Sequence, residues 1–171
     1  ELKHELRTVG FLAEVYLHTE NNEKALPLLR EMVQHAEGDN LEISLLLAQT
    51  LGKTQAYADE RTTCQDILQK HEGEPRALYL LAEAEHGLHE DLMAIAHLTQ
   101  CLAQEPQYQH ALLLRAEVLK QMGQWTEVLA DAEALVAIDA ENESYHLLRA
   151  EAYAALGKTD EAVADLKAVQ A

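Results

Sequence analysis

Apolar residues recur along the chain at intervals of three and four, the spacing that places them on one face of an α-helix. Alternation of apolar and polar residues, which is typical of half-buried strands, is absent. Two consecutive apolar faces illustrate the pattern: Leu112, Ala116 and Leu119, followed by Val128, Ala132, Leu135 and Ile138. The pattern therefore predicts an all-α protein built from short, paired helices.

The helical pattern is repeated with a period of about 34 residues, the distance that separates Ala116 from Ala150. Five units cover nearly the whole chain, which we interpret as a single array. The last unit is incomplete or lacks a cap, and the second is irregular. The approximate units are 6–39, 41–74, 75–108, 109–142 and 143–171.

A short turn divides each unit into two helices. Gly123 and Gly157 mark this turn in the last two units, where glycine can take the left-handed conformation that ends a helix. In the second unit the turn is less clear, because Gly52 could align with Gly157. One such pair cannot bury its apolar faces alone, so successive pairs are expected to stack.

The chain resembles the tetratricopeptide repeat family in the length of its repeat and in the small residues that recur at fixed positions of each repeat. An alanine stands at the close contact between paired helices in all five units, and a second small residue in most of the facing helices. Glu60 occupies the facing position in the second unit, and the closing proline survives only as Pro106. The first alanines are Ala13, Ala48, Ala82, Ala116 and Ala150, and their facing partners are Ala25, Ala94, Val128 and Ala162.

The resemblance implies a right-handed α–α superhelix whose first helices line a concave, peptide-binding face. In this sequence the residue after each first alanine, together with the residue four positions before it, would lie on that face. The partner-binding residues implied in this way are Glu14, Leu45, Gln49, Tyr79, Glu83, Leu113, Glu117, Leu147 and Glu151.

Such a face would be apolar with acidic positions, and would suit a protein segment that carries apolar residues with Lys or Arg. One subclass of the family binds acidic C-terminal peptides through a clamp of basic residues and asparagines. The clamp lysine is replaced here by Gly10, Leu45 and Leu113, which disfavours that ligand. The alternative is that the glutamates are only solvated helix-surface residues, with Arg115 and Arg149 paired to neighbouring glutamates.

The net charge of −17 adds to this picture, because so acidic a surface repels phosphate backbones and anionic lipids. Nucleic-acid binding and electrostatic membrane docking are therefore disfavoured, and the apolar runs are too short to span a bilayer. The chain begins at Glu1, so a removed leader would be consistent with it. The sequence does not determine the cellular compartment, although it favours the cytoplasm over the periplasm.

Residues with catalytic or ligating chemistry are present but are not arranged for it. Cys64 and Cys101 fall on inward-facing positions and are expected to be core residues. The pair His86 and His89 supplies at most half of a zinc site, and Gly52 lacks the preceding glycine of a phosphate-binding loop. We expect no catalytic residue, no metal and no cofactor.

The sequence therefore predicts a non-catalytic scaffold that binds a protein partner in its concave groove, in a style that resembles bacterial repeat proteins. Two alternatives remain at this point. One is self-association, as a homodimer, through a C-terminal end that exposes Leu166 and Val169. The other is a regulatory or sensor segment of a larger polypeptide that contains an enzyme.

Overall fold

The computed structural model of the chain describes residues 2–35 and 40–168. Val169, named above at the C-terminal end, lies outside these residues. Within them the secondary structure is entirely helical, as predicted, and none of the helices is long and apolar enough to cross a membrane. The ten helices are α1 (Leu2–His18), α2 (Asn22–His35), α3 (Leu41–Lys53), α4 (Tyr57–Lys70), α5 (Pro75–Gly87), α6 (Asp91–Gln104), α7 (Gln109–Gln121), α8 (Trp125–Ile138), α9 (Glu143–Ala155) and α10 (Thr159–Ala168).

The helices form two compact units, residues 1–90 and residues 91–171, which we call the N-terminal and C-terminal units. In the N-terminal unit each of α1 to α4 packs on the helix that follows it, and in the C-terminal unit each of α6 to α9 does the same. The boundary between the units falls inside the predicted repeat 75–108. Within each unit the chain thus stacks consecutive helices, the arrangement expected of a repeat whose pairs cannot fold alone.

The turn inside each helical pair has the same backbone geometry in all five pairs. One residue adopts a positive φ, and the next donates its backbone N–H to the carbonyl five residues earlier, at 2.8–2.9 Å. This is a Schellman motif, which satisfies a carbonyl at the end of the first helix. The positive-φ residues are Glu20, Gln55, His89, Gly123 and Gly157.

The second pair is regular at this turn. Gln55, with φ of 59°, occupies the place that Gly123 and Gly157 hold in later pairs, and α3 continues to Lys53. The alternative alignment of Gly52 with Gly157 is therefore wrong. This turn is difficult to predict from the sequence, because three of the five turns place a residue other than glycine in the left-handed conformation. That conformation costs about 1–2 kcal/mol for each such residue.

The small residues that defined the repeat are buried, as the pattern predicted. The five first alanines and the four facing residues are each no more than 6% exposed. Cys64 and Cys101 are also fully buried, which confirms them as core residues. Small side chains at these positions allow neighbouring helices within each unit to pack closely.

Glu60 breaks this rule, because a carboxyl group replaces the small residue that faces Ala48. The side chain is fully buried, and neither carboxylate oxygen has a hydrogen-bond partner. Gly52 makes the room: a Cβ placed there would lie 2.6 Å from Oε1 of Glu60. Burial raises the pKa of Glu60 to about 9, and the charge of Glu83 adds to this effect.

Two arginine–aspartate pairs join the first and second helices of the last two pairs. Arg115 donates from Nε and Nη2 to Asp131 at 3.0 and 2.6 Å, and Arg149 donates from the same atoms to Asp165 at 2.8 and 2.5 Å. The alternative in which these arginines pair with neighbouring glutamates is therefore wrong. The acceptors are buried aspartates on the facing helix, where a bidentate contact offsets part of their desolvation.

His146 adds a third donor to the second of these pairs. Its Nδ1 lies 3.1 Å from Oδ1 of Asp165, and its Nε2 lies 2.9 Å from the carbonyl oxygen of Ala140. Because both neighbours are acceptors, the imidazolium, which donates from both nitrogens, is the favoured form. The hydrogen bond to Ala140, followed by that to Asp165, raises the pKa of His146, while Arg149 lowers the pKa of Asp165.

We expect Glu60→Gln to raise the melting temperature, and to raise it more at about pH 8 than at about pH 5. In the unfolded chain Glu60 ionises above its usual pKa of 4.5, whereas in the folded protein it stays protonated until about 9. The penalty for keeping it protonated therefore grows as the pH rises from 4.5 towards 9. Thermal denaturation followed by circular dichroism at both pH values measures the effect. Glu14→Gln, at an exposed position, is the control, and an equal gain at both pH values would contradict the assignment.

We expect the stabilisation by His146 to be complete below about pH 6.5, the unfolded pKa, and to be lost as the pH rises through the raised folded pKa. His146→Gln should therefore cost more stability at about pH 6 than at about pH 8. Titration of the ring protons by NMR gives the folded pKa, and thermal denaturation gives the stability. The exposed His18→Gln serves as a control, and a folded pKa below that of a free histidine would contradict the double hydrogen bond.

Candidate functional site

A groove between α7 and α9 in the C-terminal unit is the candidate site. Its volume is about 500 Å³, within the range of about 300–1,000 Å³ that is usual for ligand-binding clefts. Four of the nine residues predicted to contact a partner line it, two from each helix. The lining residues are Leu113, Glu117, Lys120, Gln121, Ser144, Leu147, Leu148 and Glu151.

Helical spacing explains why these side chains share one surface. Leu113 and Glu117 are four residues apart on α7, and Leu147 and Glu151 are four apart on α9, so each pair occupies one stripe of its helix. The neighbouring Ala116 belongs to the buried cluster that fixes α7 against α8. Leu113 and Leu147 lie outside that cluster and remain accessible, with Leu113 on α7 38% exposed and Leu147 on α9 46% exposed.

A salt bridge joins the two walls of the groove. Nζ of Lys120 on α7 lies 2.8 Å from Oε2 of Glu151 on α9, and both side chains are about half exposed. Exposed pairs of this kind add about 0–1 kcal/mol, so the bridge orients the side chains more than it stabilises the fold. Glu117 makes no ion pair or side-chain hydrogen bond with any residue that the structure describes. The groove therefore carries one uncompensated negative charge, that of Glu117.

The remaining predicted contact residues lie in the N-terminal unit. Glu14 on α1 and Gln49 on α3 are exposed, whereas Tyr79 and Glu83 on α5 are half-buried. Leu45 is only 6% exposed and belongs to a core cluster with Cys64 and Ile67, against which Tyr79 packs. These positions therefore differ in the exposed fraction of their side chains, although they are equivalent in the sequence repeat.

Several groove residues were not among the predicted contacts. Lys120 follows Glu117 by three positions and Ser144 precedes Leu147 by three, so both continue a stripe already identified. Leu148 is half-buried against the cluster of α7, α8 and α9 and forms the groove wall. Extending the helical spacing by one turn in each direction would have found Lys120 and Ser144. The ion pair of Lys120 with Glu151 requires the packing of two separate helices.

A second depression, of about 310 Å³, lies in the N-terminal unit among α2, α3 and α4. Arg30 and Asp59 form an ion pair across it, so its only charged side chains already neutralise each other. Its other lining residues are Val33, Gln34, Leu47, Leu51, Thr62 and Thr63. With no uncompensated charge, it offers a partner less than the α7–α9 groove does.

Side chains suited to metal binding do not converge in the described residues. No set of three or more His, Cys, Asp or Glu side chains there is placed to hold a metal ion. Burial raises the pKa of the Cys64 thiol, so the reactive thiolate is disfavoured. The chemistry available in the groove is that of apolar contact, hydrogen bonding and charge.

Comparisons with known proteins identify the fold. No family model and no curated protein sequence matches the chain. Among solved structures, it is similar to a MamA protein, with 20% identity, a TM-score of 0.81, and coverage of 96% of this chain and 89% of the other. It is also similar to residues 41 to the end of MamA from Desulfovibrio magneticus RS-1, with 18% identity, a TM-score of 0.83, and coverage of 96% and 93%. At such identities the likeness shows the fold alone: an all-α helical repeat, consistent with the tetratricopeptide type.

Proposed function

We propose that the protein is a scaffold that binds a segment of another protein in the α7–α9 groove. The observation that carries this proposal is the convergence of Leu113, Glu117, Leu147 and Glu151 in one accessible groove. Two exposed leucines that line the same groove form an apolar patch, and an apolar patch rimmed by polar residues marks an interaction site more often than single exposed leucines do. A partner segment that covers both leucines would supply that contact.

The chemistry of the groove indicates the kind of segment that fits. Leu113 and Leu147 offer apolar contact from opposite walls, and Leu148 forms an apolar wall. Glu117 would attract a Lys or Arg of the partner, whereas Glu151 is already held by Lys120. A short helix or extended segment with two apolar side chains and one nearby basic residue is the best match.

The N-terminal unit offers further contact positions in the same proposal. Glu14 and Gln49 are exposed and can hydrogen-bond or pair with a partner, and Tyr79 and Glu83 present part of their side chains. Leu45 would support this surface from within the core instead of touching the partner. The leucines of the C-terminal unit remain the principal apolar contacts of the proposal.

We expect random peptides displayed on phage and selected on the intact chain to be enriched in sequences with two apolar residues and a Lys or Arg. Leu147→Asp should reduce binding of a selected peptide by about 10-fold or more, because it removes an apolar contact and adds a repelling charge in the groove. Glu117→Lys should weaken binding similarly, and Lys120→Met should strengthen it, since Glu151 then becomes available to the basic residue. Isothermal titration calorimetry measures the affinities.

Two matched controls separate the groove from general effects of charge and exposure. Glu105→Lys makes the same change of charge at an exposed site in the connector between α6 and α7, and Leu92→Asp alters an exposed leucine on α6. Both should leave the affinity unchanged. Methyl resonances of Leu113 and Leu147 should shift when the peptide binds. Selection of acidic peptides, or equal losses in the controls, would overturn the proposal.

A further inference from the structure

The connector between α8 and α9, residues 139–142, lies directly before the helix that forms one wall of the α7–α9 groove. Ala140 and Glu141 in this connector are exposed. Oδ1 of Asp139 accepts a hydrogen bond from the backbone N–H of Glu141 at 3.2 Å, and the backbone N–H of Asn142 lies 3.4 Å from the carbonyl oxygen of Asp139. Each of these contacts lies within the connector itself, so none of them holds it against a helix.

The side chain of His146 ties this connector to α10. The ring is near the start of α9, with Nε2 2.9 Å from the carbonyl oxygen of Ala140 and Nδ1 3.1 Å from Oδ1 of Asp165 on α10. The His146 side chain is only 13% exposed, so both contacts are largely shielded from water. One imidazole thus joins three consecutive elements, namely the connector, α9 and α10.

The same part of α9 supplies side chains to the groove. Ser144 and Leu147, which lie on either side of His146 in the sequence, both line it. The side chain of Asn142 accepts a hydrogen bond from the backbone N–H of Ser144 at 3.1 Å, and the carbonyl of Asn142 accepts one from the backbone N–H of His146 at 3.3 Å. Asn142 is therefore both the end of the connector and the cap of the helix. A connector that moves would move the first turn of α9 and, with it, these two groove residues.

Both contacts of the His146 ring can exist together only when the imidazole is protonated. A carbonyl and a carboxylate are both acceptors, and a neutral imidazole has only one N–H to donate. When the ring loses a proton, the remaining N–H favours the stronger acceptor, the carboxylate of Asp165. The other nitrogen then directs a lone pair at the carbonyl oxygen of Ala140. Loss of the proton therefore breaks the contact with the connector and keeps the contact with α10.

The charges around His146 leave it as the group that responds near neutral pH. Asp165 on α10 favours the imidazolium and Arg149 on α9 opposes it, while the hydrogen bond to Ala140, followed by that to Asp165, raises the pKa of His146. Histidine is the side chain that ordinarily changes charge between pH 5 and 8, and His146 is the only histidine in residues 125–171. The other charged residues of α8, the connector and α10 are Glu127, Asp131, Glu133, Asp139, Glu141, Asp160, Glu161 and Lys167.

We propose that His146 acts as a pH-sensitive switch of the α7–α9 groove. The protonated ring holds the connector in place, and this fixes the first turn of α9, from which Ser144 and Leu147 reach the partner. The neutral ring releases the connector, so that the partner must order this turn when it binds and therefore binds more weakly. The inference rests on the function proposed for the groove, and it adds the condition that favours that function, a mildly acidic pH.

The direction of the effect separates this switch from a general effect of charge. Protonation of exposed histidines makes the chain less negative, and a less negative chain attracts a basic segment less strongly. That effect alone would weaken binding as the pH falls from about 8 to about 6. The switch strengthens binding over the same range, so the two explanations give opposite results.

Hydrogen exchange of the intact chain without a partner tests the structural part of the proposal. The backbone N–H groups of Asn142, Tyr145 and His146 bond within the connector and the first turn of α9. Corrected for the intrinsic dependence of exchange on pH, their protection measured by NMR should fall between about pH 6 and about pH 8. The backbone N–H of Gln124, in the turn between α7 and α8, is the internal reference. Equal protection at both pH values would overturn the proposal.

A peptide selected on the groove tests the coupling to binding. Isothermal titration calorimetry should show an affinity about 5-fold higher at about pH 6 than at about pH 8, and His146→Gln should remove this increase. Because coupling is reciprocal, the bound peptide should raise the pKa of His146, which NMR titration of the ring protons measures. An affinity that is equal or lower at about pH 6, or a pKa of His146 that the peptide leaves unchanged, would overturn the proposal.

His110→Gln is the matched control, because His110 is exposed at the start of α7, one helical turn before Leu113 in the groove. This variant should keep the dependence of the affinity on pH, and circular dichroism should show that both histidine variants remain helical. If His110→Gln removed the dependence, the titrating group would belong to the α7 wall of the groove and the proposal would be overturned.

Failure of the proposed function has a different signature from failure of the switch. If Leu147→Asp bound the selected peptide as tightly as the unaltered chain does, the proposed function would be wrong, and the switch with it. If Leu147→Asp lost binding while the affinity of the unaltered chain did not rise at about pH 6, the groove would bind the peptide and the switch alone would be overturned.

Discussion

The burial of each second helix by the first helix that follows it is the interaction on which the rest of this structure depends. A helical pair presents an apolar stripe on its outer side, and water leaves that stripe only when the next pair arrives. This contact builds the clusters around Leu29, Cys64 and Leu129. It also brings α7 and α9 side by side, which creates the groove.

Three buried acids in the core, Glu60, Asp131 and Asp165, are accommodated in two different ways. Glu60 occupies a place that suits a small side chain, and it fits because Gly52 on the facing helix has no Cβ. Its carboxyl group remains unpaired and is held in the protonated form. Asp131 and Asp165 are buried as well, but a bidentate arginine balances each of them. An acid can therefore be buried in this repeat either as a neutral group or as half of an ion pair.

The groove combines a general consequence of the repeat with features found only at this place. Any two consecutive first helices present a stripe with a four-residue spacing, so the position of the groove follows from the architecture. Its selectivity follows from the residues. Lys120 engages Glu151 and leaves Glu117 as the single uncompensated charge, while two half-exposed leucines supply the apolar surface. The architecture thus provides a place for a partner, and a few side chains decide which partner fits.

The sequence by itself determined the helical class, the period, the buried alanines and the buried cysteines, because each depends on spacing along one chain. It also indicated four of the eight residues of the groove. The sequence did not predict the turn at Gln55, because only glycine identifies a left-handed position from residue type and this turn uses glutamine.

Only the tertiary structure decided the pairing of Arg115 with Asp131, the accommodation of Glu60 beside Gly52, and the burial of Leu45 where Leu113 and Leu147 are exposed. Each of these depends on which side chains of separate helices come within a few ångströms of each other. That proximity is set by packing between helices, and the periodicity of a single helix does not encode it.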